Sequence, residues 1–332
     1  MDQQNGHVGS ADGGEGAIRS SKAGGSLEHT SGEALREKYG EPVIQCREVV
    51  KRFDGQAVLK GINLDVYPGE TMVVMGGSGS GKSTLLRSII GTHKVDEGSI
   101  EMFGSDICTL DEEGMNDVRK RFGILFQSGA LFNSMTLAEN VALPLQEHTD
   151  LDPEIIDISV KIKLELVGLR EHANKFPAQI SGGMKKRAGL ARALALDPKI
   201  LFYDEPSAGL DPVTSAQIDQ LIIALSKQLG VTSVVVTHEM DSAFTIADRM
   251  AMLDRGRMLC VNDREWFEEL RDRDDEAMVD VDEDQQLIRQ FLRGAPDGPL
   301  SARRDEQGYS EDLFGMTMDR VTRTPSVEPT RY

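Results

Sequence analysis

The sequence predicts an α/β fold built on a parallel sheet, and three features of its 332 residues carry that prediction. Met72-Val73-Val74-Met75 is a short, wholly apolar run of strand length, followed by a glycine-rich turn and then by the helical segment Thr84-Leu85-Leu86-Arg87-Ser88-Ile89-Ile90. Lys199-Ile200-Leu201-Phe202-Tyr203 repeats the buried-strand pattern and ends in Asp204-Glu205-Pro206. Ser233-Val234-Val235-Val236-Thr237 and Met250-Ala251-Met252-Leu253 supply further strands. Apolar runs without alternation suit strands covered on both faces by other layers.

In chain order, residues 1–41 are rich in Gly and Ser and poor in large apolar side chains, which predicts a disordered tail. Residues 42–262 form the expected main domain. It starts with strands over 44–53 and 57–66 and passes through Tyr67-Pro68-Gly69-Glu70 into the strand at 72–75. Residues 128–190 read as mostly helical, an inserted subdomain, and the helix continues over 188–196 towards the strand at 199–203. Lys185-Lys186-Arg187 reads as the solvent face of that helix. Residues 263–332 read as an acidic linker and a C-terminal extension. In the linker Asp272, Asp274, Asp275, Glu276, Asp280, Asp282, Glu283 and Asp284 crowd together as a solvated, mobile run. Leu287, Ile288, Phe291 and Leu292 then recur at helical spacing. Beyond residue 299 little structure is expected, with Tyr309, Leu313 and Phe314 as the only anchors.

The chemistry starts at Gly76-Gly77-Ser78-Gly79-Ser80-Gly81-Lys82-Ser83, which fits G-x-x-x-x-G-K-[ST] between a strand and a helix. Its glycines let backbone N–H groups turn inward onto phosphate oxygens, and the helix N-terminus adds a favourable partial charge. Lys82 is placed to reach the β- and γ-phosphates of a nucleoside triphosphate, and the Ser83 hydroxyl to ligate Mg²⁺, with Thr84 closing the loop. Asp204 and Glu205 arrive at the carboxyl edge of the sheet, where ligands of such folds bind. Asp204 suits Mg²⁺, through water, and Glu205 suits polarising an attacking water, a role that contributes about 10²–10⁴-fold in rate.

With Ile180-Ser181-Gly182-Gly183-Met184 downstream, the chain over roughly residues 44–261 resembles an ATP-binding-cassette (ABC) ATPase subunit. The resemblance implies the P-loop NTPase fold of that family: a RecA-like parallel core, an antiparallel β subdomain and an inserted α-helical subdomain. It implies that Phe53 stacks on adenine and that Gln127 links Mg²⁺ and water to the helical subdomain. Asp211, in Ser207-Ala208-Gly209-Leu210-Asp211, matches the D-loop, and His238 the switch histidine at the γ-phosphate. It also implies a head-to-tail dimer in which Ser181, Gly182 and Gly183 of one copy cover the nucleotide of the other. The signature departs from its commonest form at Ile180 and Met184, while Ser181, Gly182 and Gly183 are intact.

Three segments narrow the resemblance: residues 126–132, residues 139–145, and Ser181-Gly182-Gly183-Met184-Lys185-Lys186-Arg187-Ala188. They are similar to the ATPase subunits of MCE-type lipid transporters, the Mla systems and their sterol- and plastid-lipid relatives. Arg289-Gln290-Phe291-Leu292-Arg293-Gly294 followed by Asp297-Gly298-Pro299 is similar to that branch's C-terminal extension. The implied partners are a second copy, a transmembrane permease docking at residues 128–139, an MCE-domain protein and a STAS-type subunit, at the cytoplasmic face of a bacterial inner membrane. The stripe at 287–292 then has two readings, a helix packed on its own domain or a brace across the dimer. The alternative function is the ATPase of another ABC system, a solute importer or a cell-division-type complex. A soluble ABC protein of ribosomes or DNA predicts two cassettes or a long coiled-coil insertion, and the sequence has neither.

Composition fits these expectations. A chain of this length buries about 70–75% of its unfolded surface and needs no structural metal or disulfide. Its three cysteines, Cys46, Cys108 and Cys260, are scattered without metal-ligand spacing. A formal net charge of −18 disfavours nucleic acid as a partner and adsorption to anionic lipid. No stretch approaches the ~18 apolar residues of a membrane span, and no signal-peptide pattern opens the chain. Membrane crossing is therefore expected of another subunit.

Overall fold

In the computed structural model, which describes residues 30–274, 281–296 and 298–300, two sheets organise the chain. Helix α1 (Gly32–Tyr39) leads into the long hairpin β1 (Ile44–Phe53) and β2 (Gln56–Val66), then β3 (Thr71–Met75) and α2 (Lys82–Ile89). β4 (Glu97–Met102), β5 (Ser105–Asp106), α3 (Glu112–Arg119) and β6 (Phe122–Leu125) follow. The helical insert comprises α4 (Leu137–His148) and α5 (Pro153–Leu166) and ends in α6 (Gly182–Ala193). The chain returns through β7 (Ile200–Asp204), α7 (Pro212–Leu229), β8 (Thr232–Thr237), α8 (Met240–Ile246), β9 (Arg249–Asp254) and β10 (Arg257–Asp263). It closes with α9 (Arg264–Asp272) and α10 (Glu283–Arg293).

The larger sheet has the order β10-β9-β3-β8-β7-β6, parallel from β9 to β6, with β10 antiparallel at one edge. The smaller sheet, β2-β1-β4-β5, is antiparallel. β3 shows why its sequence does not alternate. Val73 and Met75 face a core shared with α4, α5 and α6, whereas Met72 and Val74 face a core shared with β1, β2 and α2. Both faces are dry, so a polar residue has no place on either. β7 divides in the same way, with Leu201 and Tyr203 on one side and Ile200 and Phe202 on the other.

In the insert, a capping box starts α4: Thr136 Oγ1 accepts from the Glu139 N–H at 3.2 Å, and the Glu139 carboxylate accepts from the Thr136 N–H at 2.7 Å. Asn140, fully buried, ties down the preceding loop. It accepts from the Phe132 N–H at 2.8 Å and donates to the carbonyls of Phe132, Met135 and Thr136 at 2.9–3.2 Å.

Two expectations change, and the stripe at 287–292 packs as the first of its two readings has it. The tail expected over 1–41 includes, from Thr30 onward, an ordered helix: Ser31 caps α1, Leu35 is buried, and Tyr39 stacks on Tyr67 with ring centroids 5.9 Å apart. Residues 1–29 lie outside the described residues. The acidic linker expected from 263 begins as α9, because Trp266, Phe267 and Leu270 share one helical face and are buried, while Glu265, Glu269 and Asp272 point outward. The stripe on α10 packs on its own domain: Leu287 is buried, and Ile288 and Leu292 share a core with side chains of α9 and β10. Tyr309, Leu313 and Phe314 lie outside the described residues.

One buried ion pair joins the start of β9 to the turn before β3. Arg249 donates to Glu70 at 3.1 and 3.4 Å, and the Tyr67 N–H donates to the same carboxylate at 2.8 Å. Burial pushes the Glu70 carboxyl up to about 7 against the opposing pull of Arg249. A carboxyl whose folded pKa is raised stabilises the fold below its unfolded pKa and loses that contribution as pH rises through its folded value. Arg249→Met raises Glu70 further and extends that loss upward in pH. Removing one partner of a buried pair costs about 3–5 kcal/mol. Thermal denaturation at pH 5 and pH 8 is therefore expected to show a larger penalty at pH 8, and an equal penalty at both would contradict this account.

Candidate nucleotide site

The loop between β3 and α2 is shaped by what surrounds it. Gly76 has φ 153°, and a Cβ there would lie 2.1 Å from the Leu253 carbonyl oxygen of β9, so no larger residue fits. Lys82 opens α2 and is buried, with Nζ donating to the carbonyls of Gly76 at 2.6 Å and Gly77 at 3.0 Å. Burial lowers its pKa, while the charges of Glu205 and Asp204 hold the ammonium. The buried Ser80 Oγ has no hydrogen-bond partner among the described residues. A cationic donor resting on loop carbonyls, an unpaired hydroxyl and the free N–H groups of a helix N-terminus together fit a bound phosphate chain.

The acidic side comes from β7 and β8. The Ser83 hydroxyl donates to Asp204 Oδ1 at 3.5 Å. Burial and then the neighbouring Glu205 charge raise the Asp204 pKa, opposed by Arg87, the Ser83 hydrogen bond and Lys82. Ser83, Asp204 and Gln127 are hard oxygen donors of the kind Mg²⁺ takes. Glu205 adopts φ 51°, a left-handed conformation that costs a non-glycine residue about 1–2 kcal/mol. Its N–H donates to the Val236 carbonyl at 2.9 Å, which fixes it beside β8. Its carboxylate, 13% exposed, lies 2.9 and 3.0 Å from His238 Nδ1.

One cavity of about 630 Å³ is lined by Gly77 through Thr84, Gln127, Glu205 and His238, with Val58 and Phe291 as apolar walls, while Gly76 and Asp204 are not part of its lining. That volume lies within the roughly 300–1,000 Å³ of small-molecule sites. Other expected site residues lie apart from it. Phe53 ends β1, 41% exposed, with its ring edge-on to His93 at 5.3 Å, and is not part of the cavity wall. Ser181, Gly182 and Gly183 sit at the N-terminus of α6, where Ser181 Oγ accepts from the Met184 N–H at 3.3 Å. Asp211 caps α7, accepting from the N–H groups of Val213 and Thr214 at 3.1 and 3.0 Å and from Thr214 Oγ1 at 2.6 Å. The hydrogen bonds from Thr214 lower its pKa.

Three contributors escaped the sequence. Val58 and Phe291 reach the cavity only through long-range packing, although Phe291 stands on the stripe that flagged α10. Lys186, expected on a solvent face, is 5% exposed. The available signal was its helical spacing from Gly183 and Leu190, both buried.

The family model described as ABC transporter matches residues 59–208. A probable ribonucleotide transport ATP-binding protein, mkl, of Mycobacterium leprae is 42% identical over 272 residues, covering 81% of this chain and 74% of that protein. The intermembrane phospholipid transport system ATP-binding protein MlaF of Haemophilus influenzae is 38% identical over 272 residues, covering 82% and 98%. This chain belongs to the ABC transporter ATP-binding family. Among solved structures, the dimeric post-hydrolysis state of the ATP-binding cassette MJ0796 with ADP and phosphate is similar at TM-score 0.62 and 32% identity, covering 67% and 98%. The cbiO1 subunit from Clostridium perfringens is similar at TM-score 0.65 and 29% identity, covering 75% and 99%. This ABC ATPase accordingly has the P-loop cassette fold, binds ATP and hydrolyses it. Among its described residues no helix is long and apolar enough to cross a membrane.

Proposed function

We propose that this ABC ATPase powers a membrane transporter that moves phospholipid or a related lipid between membranes. The carrying observation is the match over 98% of the length of a relative named for intermembrane phospholipid transport. In this reading two copies pair head to tail, and Ser181, Gly182 and Gly183 of one cover ATP held by residues 76–84 of the other. Phe53 stacks on adenine, and Asp211 faces the shared site. Ser83, Asp204 and Gln127 hold Mg²⁺, which neutralises phosphate charge. Glu205 takes the proton of the attacking water. His238, hydrogen-bonded to that carboxylate, orients it and meets the γ-phosphate.

The helical insert passes closure to a transmembrane permease. Residues 128–139 suit that contact, because Phe132 is 50% exposed on the loop that Asn140 holds rigid. The subunit sits peripherally on the cytoplasmic face of the inner membrane, beside an MCE-domain protein and a STAS-type subunit. Affinity purification from detergent-solubilised native membranes is expected to recover a permease and an MCE-domain protein. The 42% identical relatives named for ribonucleotide transport favour a second reading, another ABC system. Recovery of a periplasmic solute receptor or a cell-wall regulator in place of the MCE-domain protein would establish that one instead.

A further inference from the structure

Lys186 stands about one turn into α6, three residues past Gly183 of the signature. Its side chain leaves α6 on the buried face and crosses to the loop between β7 and α7. There Nζ donates to the Glu205 carbonyl at 3.1 Å and to the Ala208 carbonyl at 2.8 Å. The Glu205 carbonyl also accepts from the Ala208 N–H at 3.2 Å, so both of its lone pairs are engaged. Burial lowers the Lys186 pKa, and the charges of Glu239 and Glu205 oppose that. An ammonium removed from water is costly unless its donors are satisfied, so its placement under Glu205 calls for a purpose.

Glu205 supplies one. It sits at φ 51°, a conformation that its own side chain does not favour and that neighbours must enforce. Its N–H is held by the Val236 carbonyl of β8, and its carbonyl by Lys186 of α6. Two elements thus hold its main chain, and its carboxylate meets His238 Nδ1 at 2.9 and 3.0 Å.

We propose that Lys186 is a positioning residue for hydrolysis: by holding the Glu205 and Ala208 carbonyls it fixes the direction of the Glu205 carboxylate. The proposal rests on Glu205 being the base. Lys186→Met keeps most of the apolar stem but removes the donors, and Lys186→Gln, with the same reach as methionine and one atom less than lysine, keeps two donors. A displacement of about 1 Å at a reacting group can cost ~10²-fold in rate. Lys186→Met is therefore expected to lower kcat roughly 10- to 100-fold, with Kd for ATP, read with a fluorescent analogue, within about twofold of wild type. Lys186→Gln is expected to recover part of kcat. In a Glu205→Gln background, read by single-turnover hydrolysis of bound ATP, Lys186→Met should add less than about a twofold loss, because a residue acting through Glu205 has nothing left to position.

Turnover of Lys186→Met within about twofold of wild type overturns the proposal. So does a Kd that worsens in step with kcat, or an undiminished loss in the Glu205→Gln background. Wild-type turnover in Glu205→Gln itself is a different failure, that of the base assignment.

Discussion

Glu205→Gln is expected to bind ATP with near wild-type affinity and to turn over about 10²–10⁴-fold more slowly. Glutamine matches the shape of the carboxylate and tolerates the same backbone, so the contacts from Val236 and Lys186 to the main chain persist. The amide cannot accept a proton from water at neutral pH. The phosphate-holding groups, residues 77–84, belong to a different loop, which Glu205 reaches only through the field it shares with Lys82. Binding and chemistry should therefore separate. If hydrolysis reopens the proposed head-to-tail pair, the variant should accumulate as an ATP-bound dimer. Size-exclusion chromatography with ATP and Mg²⁺ would show a doubled mass, and steady-state phosphate release would fall close to background. Wild-type phosphate release from this variant would remove Glu205 from the role of base.

What could be read from the sequence follows from how local each feature is. The phosphate loop is contiguous, and its flanking strand is buried on both faces, so motif and apolar run are legible together. β7, β8 and β9 are legible for the same reason. β4 is not, because only Ile100 and Met102 of Glu97–Met102 are buried and its pairing with β1 comes from a distant part of the chain. β6 has four residues, one of them Gly123, too few for a pattern. α9 was hidden under average charge: its outward acids dominate the count, while three buried side chains decide the structure. Lys186 failed for a related reason. Side-chain type points to solvent, but the backbone carbonyls that receive it belong to a loop beyond β7. The candidate site residues stand in the sequence as motifs, whereas Val58 and Phe291, the apolar walls of the cavity, come together only on folding.

The placement of Ser181 outside its own cavity leads to the second large effect. Ser181 and Gly182 are exposed in the single chain, and they present the N-terminal end of α6 to solvent while Glu205 and Lys82 face elsewhere. Gly183 cannot be enlarged, since a Cβ would meet Thr214 Cγ2 at 2.4 Å, but Ser181 can. Ser181→Arg loses a cap worth about 1 kcal/mol and leaves the fold intact. ATP should still bind the variant's own loop, while the arginine obstructs the face offered to a partner's nucleotide, and hydrolysis is expected to fall ~10²-fold or more. Lys82→Ala should be equally inactive for the opposite reason, a sound signature beside an empty loop. Mixing the two copies restores one complete site per mixed dimer, so random pairing of equal amounts should return about a quarter of wild-type activity, half the dimers with half their sites. A signature acting within its own chain predicts no recovery at any mixing ratio, and the ATPase assay across ratios separates the two.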